Sequence, residues 1–556
     1  MTDIRAADAL HMAGEIDAAA DAYRRMIAAD PRNFSAWHGL GGVRLRARAY
    51  GEASDALQHA VRLQPDAVAA WGLLAEVLFK LGEVEPAIDA YRRAAADPSI
   101  SAVAEENLAI IMPGSASAGN ADVLAARRAW GRRLAAGIGP VERPQRPPSG
   151  GKLRIGYVSA FFDKSNWMKP VYGVINRHDR DRFEVHLVSL GGDPSASAGY
   201  SDHAHDVIWR AGSTDDETVA RRLAAAGIDV LVDLNAYSAP KSLRLFLRRP
   251  APLQLGWFNS FATSGLDCFD GIIGDDAVIP AAEERFYTER VVRVHGTYLA
   301  FEVLYAVPDV APPPCSGNGG RLTFGALASA YKLNDLTLGL WARILQAAPS
   351  ARLLVRAPTL DEPSNRNHLR ARFANLGVAA ERIDLEGGAA HVDFLRSYDR
   401  IDIALDTFPY NGGTTTTEAL WQGVPVLTYA GDRWVARTSA SLLRAAGLDA
   451  WIARDEEDLL ANASALARDP ATPRASPPCA PACAPGLRPQ RPAIPRGCAA
   501  NLSRSIGKQG FDRRGRADVR FLGQRRQSRR GAGVSAVAGI PRCDRSTVAG
   551  AWPRPR

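Results

Sequence analysis

Gly412 and Gly413 precede four threonines, Thr414 to Thr417, and then Glu418, a run whose residue types suit the capture of an anion. The glycines let backbone approach a ligand closely. N–H groups and hydroxyls that open a helix sit at its positive end, where a phosphate is stabilised. A plain βα turn with threonine N-caps fits the same spacing. The second candidate is Lys332, which follows an apolar run and opens a helical segment, so it faces the same crevice if both runs share a sheet. A group transfer that expels a phosphate needs such a cation, donors for the phosphate oxygens, and a path for the acceptor's proton. A solvated surface lysine is the other reading of Lys332. No divalent metal is expected, because cationic side chains and backbone N–H groups can do this work.

These residues must be held by strands. Ile401 to Leu405 is a mostly apolar run suited to a parallel strand covered on both faces, and Val424 to Thr428, after Gly423, reads as another. The turn between them lies where open α/β folds bind ligands, at the carboxyl ends of parallel strands. Leu322 to Ala326, Arg352 to Val355 and Arg382 to Leu385 complete a lobe assigned to residues 313–468. An earlier alternating lobe, residues 153–312, offers Leu153 to Val158, Phe183 to Leu190, Val230 to Leu234, Gln254 to Phe258 and Gly271 to Gly274. Thr218 to Ala225 and Pro240 to Leu247 read as helices between them. Two Rossmann-like lobes across a cleft are expected; one larger doubly wound domain is the alternative. Residues 113–152 read as a helix, around Asp122 to Ala135, and a Pro/Gly-rich linker. Residues 1–112 repeat with a period of 34: Ala22, Ala56 and Ala90; Tyr23, Leu57 and Tyr91; Trp37 and Trp71; Pro31 and Pro65. Helix-turn-helix units of that period are tetratricopeptide repeats, whose stack presents a groove for protein or peptide. Gly14 and Gly82 share a register at which the middle repeat departs with Arg48.

The run Leu405-Asp406-Thr407-Phe408-Pro409-Tyr410-Asn411-Gly412-Gly413-Thr414-Thr415-Thr416, with Glu418-Ala419-Leu420-Trp421 and Gly423-Val424-Pro425-Val426-Leu427, resembles the nucleotide-sugar site of the O-GlcNAc transferases and their SPINDLY-type bacterial relatives. Leu153-Arg154-Ile155-Gly156-Tyr157-Val158-Ser159, Arg249-Pro250-Ala251-Pro252-Leu253-Gln254, Tyr331-Lys332-Leu333 and Gly431-Asp432-Arg433-Trp434 carry the resemblance further, over roughly residues 5–468. It implies a tetratricopeptide repeat followed by two α/β lobes of glycosyltransferase B type. It implies Lys332 as the lysine needed for transfer. Gly412, Gly413, Thr414, Thr415, Thr416, Glu418, Tyr331 and His391 then hold the donor, with Glu418 a longer arm where the family often has Asp for the ribose. The family's nucleotide-side histidine aligns with either His391 or Phe394, and His391 is taken. After the first strand the family commonly carries Asp-Phe-x-x-His-Pro, whereas Ser165 stands at that histidine's place. A hydroxyl cannot act as a general base at neutral pH, so Trp167 and Lys169 are expected to build a different acceptor site.

Composition narrows the rest. At 46% hydrophobic and 23% charged residues the chain is ordinary for a soluble globular protein. No apolar run reaches membrane-spanning length, and the first residues, with Asp3 and no apolar core, are unlike a signal peptide. The cytoplasm is the expected compartment, with no membrane partner. The net charge of +8 resides in residues 469–556, where 17 Arg and 1 Lys against 4 Asp give +14 and leave −6 for residues 1–468. The globular part therefore gives no electrostatic reason to expect nucleic acid. Four of the six cysteines are in that tail, which excludes a disulfide framework. The tail holds 12 of 36 prolines without period, a composition that predicts disorder and resembles an out-of-frame translation of GC-rich DNA. The expected activity is transfer of N-acetylglucosamine from UDP-GlcNAc to Ser or Thr of a protein held by the repeats. The rivals are SPINDLY-like fucosyl transfer from GDP-fucose and a catalytically dead repeat-based binding module.

Overall fold

The computed structural model describes residues 4–143, 151–201, 204–300 and 303–468. Seven helices open the chain: α1 (Ile4–Ala13), α2 (Ile16–Ala29), α3 (Phe34–Arg46), α4 (Tyr50–Leu63), α5 (Val68–Leu81), α6 (Val84–Ala94) and α7 (Ser101–Ile111). The 34-residue period has a direct physical cause. Ala22, Ala56 and Ala90 are buried where helices approach, and Tyr23, Leu57 and Tyr91 fill the space beside them. Trp37 Nε1 donates to Pro31 O at 2.9 Å, and Trp71 Nε1 repeats the bond to Pro65 O at 2.8 Å. The arginine in the glycine register is a substitution in type but not in shape: Arg48 takes φ 61 between Gly14 and Gly82 at φ 83. Its carbonyl is held by the second lobe through Asn365 Nδ2 at 2.9 Å.

α8 (Asn120–Ala135) leads to a seven-stranded parallel sheet: β1 (Leu153–Ser159), β2 (Phe183–Ser189), β3 (Val207–Arg210), β4 (Val230–Asp233), β5 (Leu253–Gly256), β6 (Gly271–Gly274) and β7 (Arg290–Arg293), in the order β3-β2-β1-β4-β5-β6-β7. Its helices are α9 (Ser165–Ile175), α10 (Asp216–Ala226) and a short α11 (Leu243–Leu247). The second sheet runs β10-β9-β8-β11-β12-β13, built from β8 (Thr323–Leu327), β9 (Arg352–Arg356), β10 (Ile383–Glu386), β11 (Ile403–Leu405), β12 (Val426–Tyr429) and β13 (Ile452–Ala453). Around it lie α12 (Asp335–Ala347), α13 (Pro363–Asn375), α14 (His391–Arg396), α15 (Thr414–Trp421), α16 (Thr438–Ala445) and α17 (Glu456–Arg468). A helical repeat region followed by two parallel α/β lobes is thus the observed architecture. Three strands escaped the sequence reading, β3, β7 and β13, and all three are edges. An edge strand is covered less, so Val-Ile-Trp-Arg and Arg-Val-Val-Arg lack the continuous apolar run that marked the central strands.

The three parts interlock. Trp434, fully buried, and Leu442 belong to the core of the first lobe although they follow β12. Ser441 Oγ donates to Asp275 Oδ2 at 2.7 Å, and Arg437 grips Glu283 at 2.7 and 2.9 Å. Leu459 and Ala463 of α17 are part of the second lobe's core. The repeats dock on α13: Gly51 N donates to Asn365 Oδ1 at 3.0 Å, and His368 Nε2 meets Glu83 Oε1 at 2.7 Å. The readings made for residues 469–556, and for part of the linker, 144–150, lie outside the described residues.

Candidate functional site

Strand order in the second sheet reverses between β8 and β11, and a small cavity opens at their carboxyl ends. Leu327, Lys332, Tyr398, Asp406, Gly412, Thr415 and Thr416 are among the residues lining it. This is the topological switch point at which doubly wound sheets bind ligands. Asp406, the first residue after β11, organises the turn: Thr407 N and Gly412 N donate to Oδ1 at 2.9 and 2.8 Å, and Thr428 Oγ1 to Oδ2 at 2.7 Å. Burial pushes the Asp406 carboxyl up, against those hydrogen bonds. Asn411 Nδ2 donates to Thr407 O at 2.9 Å and its backbone N to Val435 O at 3.0 Å, so the turn is braced from both sides.

The two glycines differ in what surrounds them. A Cβ on Gly412 would stand 2.6 Å from Thr416 Oγ1 and 2.7 Å from Thr415 Oγ1, so glycine is required there by the threonine hydroxyls themselves. At Gly413, the N-cap of α15, a Cβ would meet Thr438 Cγ2 only at 3.6 Å. Thr416 Oγ1 pairs with Ser439 Oγ at 2.8 Å and Thr417 Oγ1 donates to Gly413 O at 3.2 Å. Thr414 is half-buried and Thr415 reaches the cavity. Lys332 ends a 3-10 turn, Ala330–Lys332, after β8. Its Nζ donates to Asn411 O at 2.8 Å and lies 4.4 Å from the Tyr410 ring centre. Burial lowers its amine to about 8, with the charge of Asp406 pulling the other way. A cation, a helix N-terminus and a set of hydroxyls therefore converge on one crevice, an arrangement that can bind a diphosphate and neutralise it as it leaves.

Glu418 and Lys169, far apart in the sequence, are brought together. Both are buried, and they form an ion pair between α15 of the second lobe and α9 of the first. Glu418 Oε1 is thus bound to a partner from the other lobe, and Lys169 stands between the lobes. Burial raises the Glu418 carboxyl and lowers the Lys169 amine, and each partner's charge opposes that shift. The Lys169 ammonium is also 5.2 Å from the Trp421 ring and 5.8 Å from Tyr305. Tyr305 OH meets His391 Nε2 at 2.8 Å, and the Phe394 ring stacks 6.4 Å from His391, so the two aligned alternatives are neighbours on α14. Burial, then the Lys169 charge, lowers His391 to about 4, which leaves a neutral imidazole. Tyr331 stacks at 5.3 Å on Phe79 of the repeats and meets the edge of Tyr410 at 5.7 Å. Ser165 Oγ is engaged by Ser197 Oγ at 2.8 Å and Ala198 N at 3.1 Å, and Trp167 stacks on Phe161 at 4.7 Å. Asp406, Tyr410 and Asn411 stood in the quoted run without a role of their own, and Tyr305 was not singled out. For Asp406 the signal was present, a carboxylate directly after a buried strand.

Among the described residues no helix is long and apolar enough to cross a membrane. The chain matches the family described as "Glycosyl transferase family 41" over residues 140–307 and 320–475. It is 30% identical over 370 residues to "Probable UDP-N-acetylglucosamine--peptide N-acetylglucosaminyltransferase SPINDLY" of Solanum lycopersicum, covering 62% of this chain and 38% of that one. It is 28% identical over 313 residues to the corresponding SEC protein of Arabidopsis thaliana, covering 53% and 31%. The chain thus spans well under half the length of these plant proteins. A lysine-to-methionine mutant of Thermobaculum terrenum O-GlcNAc transferase superposes with a TM-score of 0.69 at 33% identity, over 84% of this chain and 89% of that one. With the two lobes, the switch-point turn and these matches together, the chain belongs to glycosyl transferase family 41.

Proposed function

We propose that this chain is an inverting glycosyltransferase that moves N-acetylglucosamine from UDP-N-acetylglucosamine to a Ser or Thr hydroxyl of a protein recruited by its repeats. The observation that carries the reading is Lys332 Nζ, held 2.8 Å from Asn411 O over the turn whose Gly412, Thr415 and Thr416 line the same cavity. The turn and the start of α15 cradle the diphosphate, and Lys332 offsets the charge that develops as the sugar departs. Tyr398 lines the cavity and meets the edge of Phe394 at 6.5 Å, beside His391 and Tyr305; this group of rings is the candidate to receive the base. Ser165, a hydroxyl tied to Ser197 and Ala198, is no general base, so stabilisation of the leaving group bears the larger share of catalysis. The names of the plant relatives and of the Thermobaculum protein support the donor and the acceptor class. Isothermal titration with UDP and GDP tests the donor: tighter binding of UDP is expected, and preferential binding of GDP sinks the assignment in favour of a GDP-fucose donor.

A further inference from the structure

Gly82 caps α5 in the left-handed conformation, φ 83, and touches the second lobe at a specific place. A Cβ there would stand 2.6 Å from the carbonyl oxygens of both Ala330 and Leu333, the residues that bracket Tyr331 and Lys332. One turn earlier on α5, Phe79 stacks at 5.3 Å on Tyr331. Tyr331 meets Tyr410 edge-on at 5.7 Å, and Tyr410 is the ring beneath the Lys332 ammonium, 4.4 Å away. Two more bonds clamp the same corner: Arg372 donates to Leu81 O at 3.0 Å and to Asp335 Oδ1 at 2.7 Å. The 3-10 turn of Lys332 has only two backbone bonds of its own, Lys332 N to Ser329 O and Leu333 N to Ala330 O, each 2.9 Å. Asn411 O and the Tyr410 ring hold the far end of the lysine, while the backbone that carries it rests on α5.

We infer that α5 and its glycine cap are a structural wall of the donor site, with Phe79 and Gly82 as positioning residues that set the location of Lys332. A repeat of the class that recruits protein thereby also holds the cation that serves the chemistry, and the repeats are not a detachable adaptor. The inference rests on the proposed role of Lys332 for its catalytic consequence, but not for its geometry.

The repeat supplies its own control. Gly14 occupies the same register with the same φ of 83, yet a Cβ there would meet only Arg46 Nη2, at 3.9 Å. Gly14→Ala therefore imposes the same backbone strain without the contact. The measurements are the pH titration of the Lys332 amine, by competitive acetylation and mass spectrometry on the full chain, the turnover of UDP-N-acetylglucosamine, and thermal unfolding. Asp406 and Tyr410 face that amine and are unchanged in all variants. Gly82→Ala and Phe79→Ala are expected to move the Lys332 titration up toward that of an ordinary lysine. Displacement by about an ångström should lower kcat roughly a hundredfold with donor KM little changed. Phe79→Tyr should restore both, and Gly14→Ala should alter neither. If Gly82→Ala does not fold, Phe79→Ala and Phe79→Tyr carry the test alone. An unshifted Lys332 titration in a folded Phe79→Ala protein overturns the inference, whatever happens to turnover. A shifted titration with undiminished turnover upholds the positioning and instead refutes Lys332 as the leaving-group cation.

Discussion

Lys332 and Asp406 show how single side chains make an anion site from a turn. Asp406 collects two backbone N–H groups and a hydroxyl, so the turn keeps its shape without a ligand and spends no binding energy on ordering. Lys332, half-buried and hydrogen-bonded to a carbonyl rather than a carboxylate, is a cation open to a counter-charge. Lys332→Ala should reduce sugar transfer by at least roughly a hundredfold, since loss of one charge-stabilising group in a transition state costs about 3–4 kcal/mol; wild-type turnover in that variant removes the lysine from the mechanism. The pH dependence has a definite sign. Burial brings the amine to about 8 in the folded chain, below the ordinary lysine value of about 10.4. Between the two the unfolded chain binds more protons, so stability should rise with pH across that window. Urea unfolding of wild type and Lys332→Met through that range checks it: the rise should be missing from the variant. In the same proteins kcat/KM for the donor should fall above about pH 8 as Lys332 loses its charge.

At the scale of elements, the repeat helices owe their period to one recurring bond, indole N–H to the proline carbonyl six residues earlier, and to alanines at the closest approaches. The period was legible because it is local. The docking of those helices was not, because it runs through Asn365, one side chain on α13 that satisfies Gly51 N, Arg48 O and Thr359 O together. Removing it leaves buried backbone groups unpaired, at about 1–3 kcal/mol. Asn365→Ala should therefore speed amide exchange in α3 and α4 while leaving the first sheet unchanged. Equal exchange in both proteins would show that the repeats are held elsewhere.

For the whole molecule, the two lobes are joined by buried groups: Trp434 in the first lobe's core, Ser441 on Asp275, and the Lys169 and Glu418 pair. A buried ion pair is weak evidence of stability, but breaking it from one side is costly, about 3–5 kcal/mol, because a charge is left without its partner. Lys169→Met should lower stability by that order, and Lys169→Met with Glu418→Leu should recover most of it in denaturant titration. A double variant as unstable as the single one would mean that packing, not charge, is what Lys169 contributes.

The alternation of strands and helices, the repeat period and the glycine-threonine turn were set by the sequence alone, because each depends on residues a few positions apart: apolar runs that suit a covered strand, an alanine register, and glycines beside hydroxyls. The edge strands β3, β7 and β13 were hidden because little of their surface is covered and so little pattern is demanded. What the tertiary structure decided lies between residues far apart in the chain. Lys169 and Glu418 are 249 residues apart and meet only when the lobes do. Asn365 reaches Gly51 across 314. Gly82 looks like any helix cap until Ala330 and Leu333 are laid against it. Such partnerships carry no local signature, since a buried charge or a close glycine acquires its meaning from whichever surface folding brings to it.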